Sequence, residues 1–469
     1  MRTTAEHDRA VHDVVEQFAA LAPASTVRLA KRTSNLFRTR DASASAGLDV
    51  AALDDVVEVD PTCRTARVQG MATYERVVDA TLAHGLMPLV VPQLKTITLG
   101  GAVTGLGIES SSFRNGLPHE SVRELDILTG TGHVVTAGPD GEHAQLFRCF
   151  PNSYGSLGYA VSLTVELEPV RPYVRLRHVR FSDLASLVGA IGWVMADGSW
   201  DGVRVDFLDG VVFARDELYL TLGTWAGSLD AAEGPSDYTG EQIYYRSIQH
   251  RSRDVLTVHD YLWRWDTDWF WCSRAFGAQN PLARRLWPRR WLRSDVYWKI
   301  VGIEQRYHPI ARIDALRGRP ARERVVQDVE LPLERTEEFL DWFLRTVPIE
   351  PIWLCPVQLR PRPPGAPAPG PDPSTPWPLY PMHTGVPYVN VGFWSTVPIE
   401  PGRADGDVNR DVERVVAELG GHKSLYSDAY YDRGAFYAKY GGTAYQQVKR
   451  RYDPDGRFPD LYDKAVKRR

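Results

Sequence analysis

The stretch 96–116, TITLGGAVTGLGIESSSFRNG, constrains the fold most, because so much glycine and serine cannot form one regular helix or strand throughout. Small residues let a backbone approach a diphosphate, and several N–H groups can then point at one site. The run lacks GxGxxG at the start of a helix and also lacks GxxxxGK[ST], so neither a Rossmann nor a P-loop site is indicated. The alternative interpretation is an ordinary glycine-rich loop.

Composition places the chain among globular proteins of two or three domains. It has 469 residues, 43% hydrophobic and 24% charged, and a formal net charge of −4. A near-neutral chain offers no bulk field for nucleic acid, so we expect no nucleic-acid partner. The four cysteines form no CxxC pair, which argues against a metal site or a disulfide framework and suits the cytoplasm. The N-terminal residues lack an apolar signal core and no apolar run is long enough to span a bilayer, so we expect a soluble or peripheral protein.

The first third of the chain mixes helices and strands. Apolar residues recur at helical spacing over 9–21, and strand-like runs follow at 56–60 and 64–70. A helix over 71–84 ending at Gly85, a short buried strand, a hairpin and a last strand over about 159–168 complete this region. The pattern predicts an N-terminal helix in 1–24 and an α+β domain over 25–172.

The remainder predicts a second domain over 173–469. Repeated strand-like runs such as VRVDFLDGVVFA, RVVQDVELP and YVNVGFW alternate with amphipathic helices. This pattern is typical of one antiparallel sheet covered by helices. Residues 361–378 are rich in proline and predict a surface loop.

Three motifs resemble the FAD-binding core of the vanillyl-alcohol-oxidase (PCMH-type) flavoproteins. They are TLGGAVTGLGIESSSFRNG, HESVRELDILTGTGHVV and NSYGSLGYAVSLTVEL. The closest resemblance is to the Δ24-sterol reductase branch, and it continues in VVQDVELP, PIWLCP, LYSDAYYDRGAFY and YDPDGRFPDLYDK over roughly residues 25–469. The resemblance implies a PCMH-type FAD-binding domain joined to a substrate domain, the latter with its C-terminal part, about 420–469, packed back toward the flavin.

The resemblance also implies which residues bind FAD. A first pyrophosphate loop is expected at Lys31, Arg32, Thr33, Ser34 and Asn35, although a solvated basic pair would explain the two cations equally well. The second loop is expected at Thr98, Gly100, Gly101, Gly105, Gly107, Ile108, Glu109, Ser110, Ser111 and Ser112, with Ser121, Val122, Gly158 and Val161 nearer the ring. Members with covalent FAD attach it to a first-loop histidine. The chain has none between His12 and His84, which predicts non-covalent FAD.

The sterol-reductase resemblance favours reduction of a carbon–carbon double bond, with hydride from reduced flavin and a proton from a side chain. The polar residues that are candidates for the proton donor lie in apolar or matched segments: His259, Tyr261, Arg264, Asp328, Asn390, Asp428 and Tyr430. For each of them the alternative is a buried group that is simply hydrogen-bonded.

Residues 261–298 contain seven tryptophans and seven arginines. Such a mixture suits the boundary between acyl chains and headgroups, and it predicts a membrane-surface contact or the entry to a lipid tunnel. The alternative is a tryptophan-rich core beside a salt-bridged face.

High arginine, alanine, proline and aspartate usage indicates a GC-rich bacterial genome, in which sterols are rare. The resemblance therefore implies reduction of a 10-methylene fatty acyl chain of a phospholipid to the 10-methyl product. NADPH would be the electron donor, and an S-adenosylmethionine-dependent methyltransferase would be a partner. The alternatives are a Δ24-sterol-reductase-like enzyme, a FAD-dependent oxidase or dehydrogenase of a hydroxylated small molecule, and a non-catalytic membrane-docked partner of the methyltransferase.

Overall fold

The computed structural model describes residues 1–31, 36–38, 46–105, 107–231, 233–307, 320–361 and 373–467. The first half is built on a six-stranded sheet in which alternating apolar residues face a common core. Its order is β3-β4-β8-β6-β7, with β5 also paired to β8. The strands are β3 (Val56–Asp60), β4 (Thr65–Gln69), β5 (Leu86–Pro88), β6 (Val122–Leu128), β7 (Val134–Ala137) and β8 (Tyr159–Pro169), and a separate parallel pair joins β1 (Val27–Leu29) to β2 (Ala46–Leu48).

Short helices pack around this first sheet. They are α1 (Thr4–Ala20), α2 (Tyr74–Leu82), α3 (Leu99–Val103), α4 (Ser112–Asn115) and α5 (Ala144–Cys149), with a 3₁₀ turn at Pro118–Ser121. The glycine- and serine-rich run is therefore irregular backbone interrupted by two single-turn helices, as the composition predicts. Helix α1 begins with a capping box between Thr3 and Glu6. It buries Val14 and Phe18 in a small core shared with Val161 of β8.

The second half is built on an eight-stranded sheet in which every neighbouring pair is antiparallel. Its order is β14-β9-β13-β12-β16-β17-β15-β18. The strands are β9 (Tyr173–Phe181), β12 (Phe207–Ala214), β13 (Glu217–Ala226), β14 (Arg253–Thr257), β15 (Arg322–Pro332), β16 (Ile352–Val357), β17 (Tyr388–Pro398) and β18 (His422–Lys423), and β10 (Ser199–Trp200) pairs with β11 (Val203–Arg204) in a small hairpin.

The two faces of this large sheet have different roles because side chains alternate along each strand. Leu208 and Leu354 face a core formed with three helices: α6 (Leu184–Asp197), α11 (Leu333–Thr346) and α12 (Asp407–Glu418). Phe207 and Trp353, one residue away on the same strands, face a second core that also contains the first sheet. The sheet is thus covered by helices on one face and by the first half of the chain on the other.

The remaining helices belong to the second half of the chain. They are α7 (Tyr244–Ser247), α8 (Val258–Leu262), α9 (Pro281–Leu286), α10 (Ser294–Tyr307), α13 (Arg433–Lys439), α14 (Gly442–Tyr452) and α15 (Leu461–Ala465), with 3₁₀ turns at Cys272–Phe276 and Arg289–Trp291. The C-terminal segment lies on the first half, where the His143 Nδ1 and Tyr452 hydroxyl groups are 2.7 Å apart.

The predicted α+β class and the antiparallel, helix-covered second sheet are confirmed. The last strand of the first sheet ends at Pro169 and the first strand of the second begins at Tyr173. The exact domain limits stay a prediction. Most of the proline-rich loop, residues 362–372, lies outside the described residues.

Candidate functional site

A cavity of about 1190 Å³ lies between the two sheets. One wall is the glycine-rich turn after Thr98 together with the start of β8, and the opposite wall is β15, β16 and β17 of the large sheet. The C-terminal segment closes a further side, with Lys464 and Lys467 among the lining residues. Small-ligand pockets typically measure about 300–1,000 Å³, so this cavity has room for more than a compact metabolite.

The glycine-rich turn that lines the cavity packs so closely on its neighbours that only glycine fits at several positions. A Cβ on Gly100 would lie 2.6 Å from the carbonyl oxygen of Gly70, and one on Gly107 would lie 2.7 Å from Cγ of Pro118. Gly158, at the start of β8, has a φ of +137°, which side-chain-bearing residues rarely adopt. The turn can therefore present bare backbone to a ligand.

Some backbone N–H groups of this turn bond within the protein, and others are available to that ligand. Gly100 N–H donates to the Gly70 carbonyl and Gly101 N–H donates to the Thr98 hydroxyl. Among the described residues, no acceptor takes the N–H groups of Gly105, Gly107 or Ile108. Unused N–H groups beside small residues suit a phosphate or diphosphate.

Eight of the residues expected to bind FAD line the cavity: Lys31, Thr98, Gly100, Gly101, Gly105, Gly107, Ile108 and Gly158. Arg32, Thr33, Ser34 and Asn35 lie outside the described residues. Ser121 donates its hydroxyl to the Pro118 carbonyl, Val122 packs in the main core, and Val161 packs beneath α1. Ser121, Val122 and Val161 do not line the cavity, in contrast to the expectation that they lie near the flavin ring.

The GIESSS run also departs from its expected role after Ile108. Glu109, Ser110, Ser111 and Ser112 are buried behind the cavity wall and do not line it. The Ser110 hydroxyl bonds to the Glu109 carboxylate, Ser111 Oγ donates to the Leu89 carbonyl, and Ser112 Oγ accepts from the Glu109 amide. These hydroxyls are satisfied within the protein, because buried polar groups need partners.

Glu109 is part of a buried charge cluster that joins three distant segments. Arg264 contacts Glu109 at 3.0 Å and Asp209 at 2.9 Å, and its guanidinium stacks on Tyr261 at 3.9 Å. Burial raises the pKa of the Asp209 carboxyl, although the ion pair with Arg264 acts in the opposite direction. Asp209 also accepts a bond from the Trp353 indole, which lines the cavity. We name this cluster, Glu109–Arg264–Asp209, the buried clamp.

The buried clamp changes the interpretation of two donor candidates. Tyr261 and Arg264 are fully buried in it and do not line the cavity. His259, the third candidate of that segment, has a side chain 48% exposed on the outer surface beside Asp79 and Asp260. None of the three is placed to transfer a proton to a molecule in the cavity. The sequence grouped them by proximity in the chain, whereas the structure buries Tyr261 and Arg264 and leaves His259 at the surface.

Asp328, Asn390 and Asp428 do line the cavity. Asp328 and Asn390 lie on neighbouring strands β15 and β17, and Asn390 Nδ2 donates to Asp328 Oδ1 at 3.0 Å. Asp428 lies 3.5 Å from Arg324, and Tyr430 stacks beneath Arg410 away from the lining residues.

Burial raises the pKa of the Asp328 carboxyl to about 6, against hydrogen bonds from Asn390 and Tyr426 that lower it. The Trp394 indole donates to the Tyr426 hydroxyl at 2.8 Å, so Tyr426 is held with its proton toward Asp328. The Asn390 carbonyl oxygen is buried with no protein partner. This end of the cavity therefore holds a carboxyl that exchanges its proton near neutral pH and an acceptor free for a ligand.

Aromatic rings line the same cavity as Asp328, and the sequence did not indicate this part of the site. Trp269, Phe270, Trp353 and Trp394 line the cavity, with Phe270 4.6 Å from Trp394 and 5.3 Å from Trp353 between ring centres. Trp269 and Phe270 have φ values of 45° and 60°. Positive φ at two bulky residues costs about 1–3 kcal/mol each and persists where surrounding packing holds it, often at functional sites. The sequence interpretation assigned the tryptophans of residues 261–298 to a membrane-surface contact or a lipid-tunnel entry, with a tryptophan-rich core as the alternative.

The comparisons with known proteins agree with this arrangement. Residues 8–138 match the family described as FAD binding domain. The chain is an FAD-binding oxidoreductase. It is 26% identical over 432 residues to the Δ24-sterol reductase of Homo sapiens, covering 88% of this chain and 77% of that protein. It is 25% identical over 456 residues to the Δ24-sterol reductase of Arabidopsis thaliana, covering 90% and 77%. Cytokinin dehydrogenase 7 of Oryza sativa is 34% identical over 117 residues, which cover 25% of this chain and 22% of that protein.

The cavity fits FAD. The glycine turn offers unused N–H groups for the diphosphate, Lys31 supplies positive charge, and the aromatic side chains of the opposite wall offer apolar surface to a flavin ring. Within the described ranges, no cluster of three or more histidine, cysteine or acidic side chains is placed to hold a metal ion, and no helix has the length and apolarity to cross a membrane. The chain's four cysteines are free thiols.

Proposed function

We propose that this oxidoreductase reduces an isolated carbon–carbon double bond in a hydrophobic lipid, with Asp328 as the proton donor. One observation carries the proposal: a carboxyl with a pKa near 6 lies inside an aromatic cavity whose opposite wall is the glycine turn of the FAD-binding domain. The names of the Δ24-sterol reductases support the same reaction type.

Reduction of an alkene needs a hydride at one carbon and a proton at the other. FAD supplies hydride transfer when it is bound and reduced. Asp328 gives its proton to the second carbon, and its carboxylate is then stabilised by the Asn390 amide and the Tyr426 hydroxyl. A positioned acid of this kind contributes about 10²–10⁴-fold to the rate.

The aromatic wall has a separate role in this reaction. An isolated alkene accepts hydride poorly, so protonation runs ahead of hydride transfer and leaves positive charge on carbon. Trp353, Trp394 and Phe270 line the same cavity as Asp328 and would stabilise such charge through their ring quadrupoles. The same rings exclude water, which would otherwise capture the cation.

Two substrate classes fit the apolar cavity. The sterol side chain has the better support, because the relatives that match 88% and 90% of this chain are Δ24-sterol reductases. The 10-methylene acyl chain of a phospholipid rests on the sequence interpretation alone, together with its methyltransferase partner. NADPH as electron donor and non-covalent attachment of FAD also stay proposals.

The test uses purified holoenzyme with NADPH and two lipids in detergent, a Δ24-unsaturated sterol and a 10-methylene phospholipid. Mass spectrometry follows the gain of two hydrogens. We expect saturation of at least the sterol, and acid precipitation should release the flavin. Formation of peroxide or of an oxidised product from an alcohol, with neither lipid reduced, would instead favour the oxidase or dehydrogenase alternative, to which the partial match with a cytokinin dehydrogenase points.

A further inference from the structure

The exposed apolar side chains of the protein are concentrated in one short segment. Six large hydrophobic residues are exposed among those that the structure describes, and three of them lie within residues 282–291. Leu282 is 77%, Leu286 is 85% and Trp291 is 49% exposed. Scattered single exposed apolar residues need no explanation, but three large apolar residues within one turn-rich segment do. We name Leu282, Leu286 and Trp291 the outer patch.

The outer patch is held facing outward by a buried anchor. Helix α9 (Pro281–Leu286) places Leu282 and Leu286 four residues apart, hence on the same face. Arg284, between them, points into the protein and pairs with Asp268 at 2.6 Å, with both side chains almost fully buried. Since the arginine fixes the helix, the two leucines cannot turn inward to join the core.

The charge around the outer patch is positive. Residues 280–294 contain five arginines and no acidic residue. Arg284 is buried, Arg293 pairs with Glu75 at 2.9 Å, and Arg289 pairs with Asp237 at 3.4 Å. Arg285 and Arg290 are exposed, and no acidic side chain of the described residues pairs with either. Exposed leucine and tryptophan beside unpaired arginine match the interface between acyl chains and anionic headgroups.

The segment that carries the outer patch continues into the cavity wall. Trp287 packs on Tyr297 of helix α10, with ring centres 6.5 Å apart. The next residue of that helix, Trp298, lies 4.5 Å from Phe37 and 5.2 Å from Trp269. Phe37 and Trp269 both line the cavity. Two neighbouring aromatic residues of helix α10, Tyr297 and Trp298, therefore contact the segment of the outer patch and the cavity wall respectively, and we name them the aromatic row.

We propose that the outer patch docks the protein on the surface of a bilayer containing anionic phospholipid. Leu282, Leu286 and Trp291 enter the acyl boundary, and Arg285 and Arg290 contact the headgroup phosphates. Docking brings the aromatic row beside the source of a membrane-dissolved substrate. This purpose rests on the proposed function, whereas the docking itself does not.

The test is co-sedimentation of the full-length holoenzyme with vesicles of phosphatidylcholine alone or mixed with phosphatidylglycerol. We expect binding to the mixed vesicles that weakens with salt. Leu282→Gln with Leu286→Gln should lower binding to mixed vesicles at least about tenfold, because each lost leucine removes buried apolar area. Arg285→Gln with Arg290→Gln should lower it about 25-fold, or about fivefold for each arginine.

Two matched controls lie elsewhere on the surface. Trp193 is 61% exposed, so Trp193→Gln should leave vesicle binding unchanged, as should Arg171→Gln on an exposed arginine. Flavin content and turnover of detergent-dispersed substrate should be unchanged in every variant. Those two readouts separate a failure of docking from a failure of the proposed function.

Three outcomes would overturn the proposal. One is the absence of wild-type protein from the pellet of mixed vesicles. Another is an equal loss of binding in the Trp193 variant. The third is a wild-type dimer in light scattering that the Leu282 and Leu286 variant converts to monomer without vesicle binding, since the outer patch would then join two copies of this chain.

Discussion

The buried clamp predicts that Arg264→Met lowers stability and loosens FAD together. Arg264 lies between Glu109 and Asp209 at 3.0 and 2.9 Å, and all three side chains are buried. Removing the cation leaves two buried carboxylates facing each other, and breaking such a pair costs about 3–5 kcal/mol. An unfolding entropy of about 2.1 cal/mol/K per residue makes that about 3–5 °C in melting temperature, if the 469 residues unfold as one unit.

The stability lost on replacing Arg264 by methionine should depend on pH. The Asp209 pKa is already raised by burial, so the folded protein holds that proton more tightly than the unfolded chain does. The stability that such a group contributes falls as the pH rises from its pKa in the unfolded chain to its pKa in the folded protein. Without Arg264 the folded pKa rises further, so the loss of stability should be larger at pH 8 than at pH 5.

Arg284→Met is the matched control, because Arg284 makes an equally buried pair with Asp268 but does not contact the glycine turn. Both variants should melt earlier, while only Arg264→Met should weaken FAD binding in a fluorescence titration of apoprotein. Replacing Glu109 and Asp209 by amides as well should restore most of the lost stability. A melting temperature equal to wild type, or equal loss of FAD in both variants, would refute the reasoning.

Three further predictions concern the cavity. Asp328→Asn should lower alkene reduction about 10²–10⁴-fold with flavin content unchanged, whereas Asp428→Asn should retain activity; the reverse ranking would move the proton donor to Asp428. Wild-type turnover should fall as pH rises above about 6, because Asp328 must carry its proton, and a profile flat from pH 5 to 8 would exclude it. Gly100→Ala should reduce flavin content, since its Cβ would lie 2.6 Å from the Gly70 oxygen, while Gly189→Ala in an open helix position should not; equal flavin in both would contradict a crowded turn.

Much of the fold could be predicted because its patterns are local. The hairpin of β3 and β4 and the alternation in the large sheet follow from neighbouring residues. The glycine turn could also be placed, since glycine content reports close backbone approach directly.

The direction of single side chains could not be predicted. Ser110, Ser111 and Ser112 are as suited to a phosphate as to a protein acceptor, and in the structure all three bond to Glu109, which packs against Arg264. That packing joins positions 109, 209 and 264, which no local pattern connects. The positive φ values of Trp269 and Phe270, which bring their rings to the cavity, likewise depend on tertiary packing.

The most direct measurement is a single-turnover experiment without oxygen. Holoenzyme is reduced until its flavin bands disappear, and a Δ24-unsaturated sterol or a 10-methylene phospholipid is then added. We predict that the oxidised flavin spectrum returns in step with the formation of the saturated lipid. Flavin that stays bleached with both lipids, yet reoxidises when air is admitted, would contradict it.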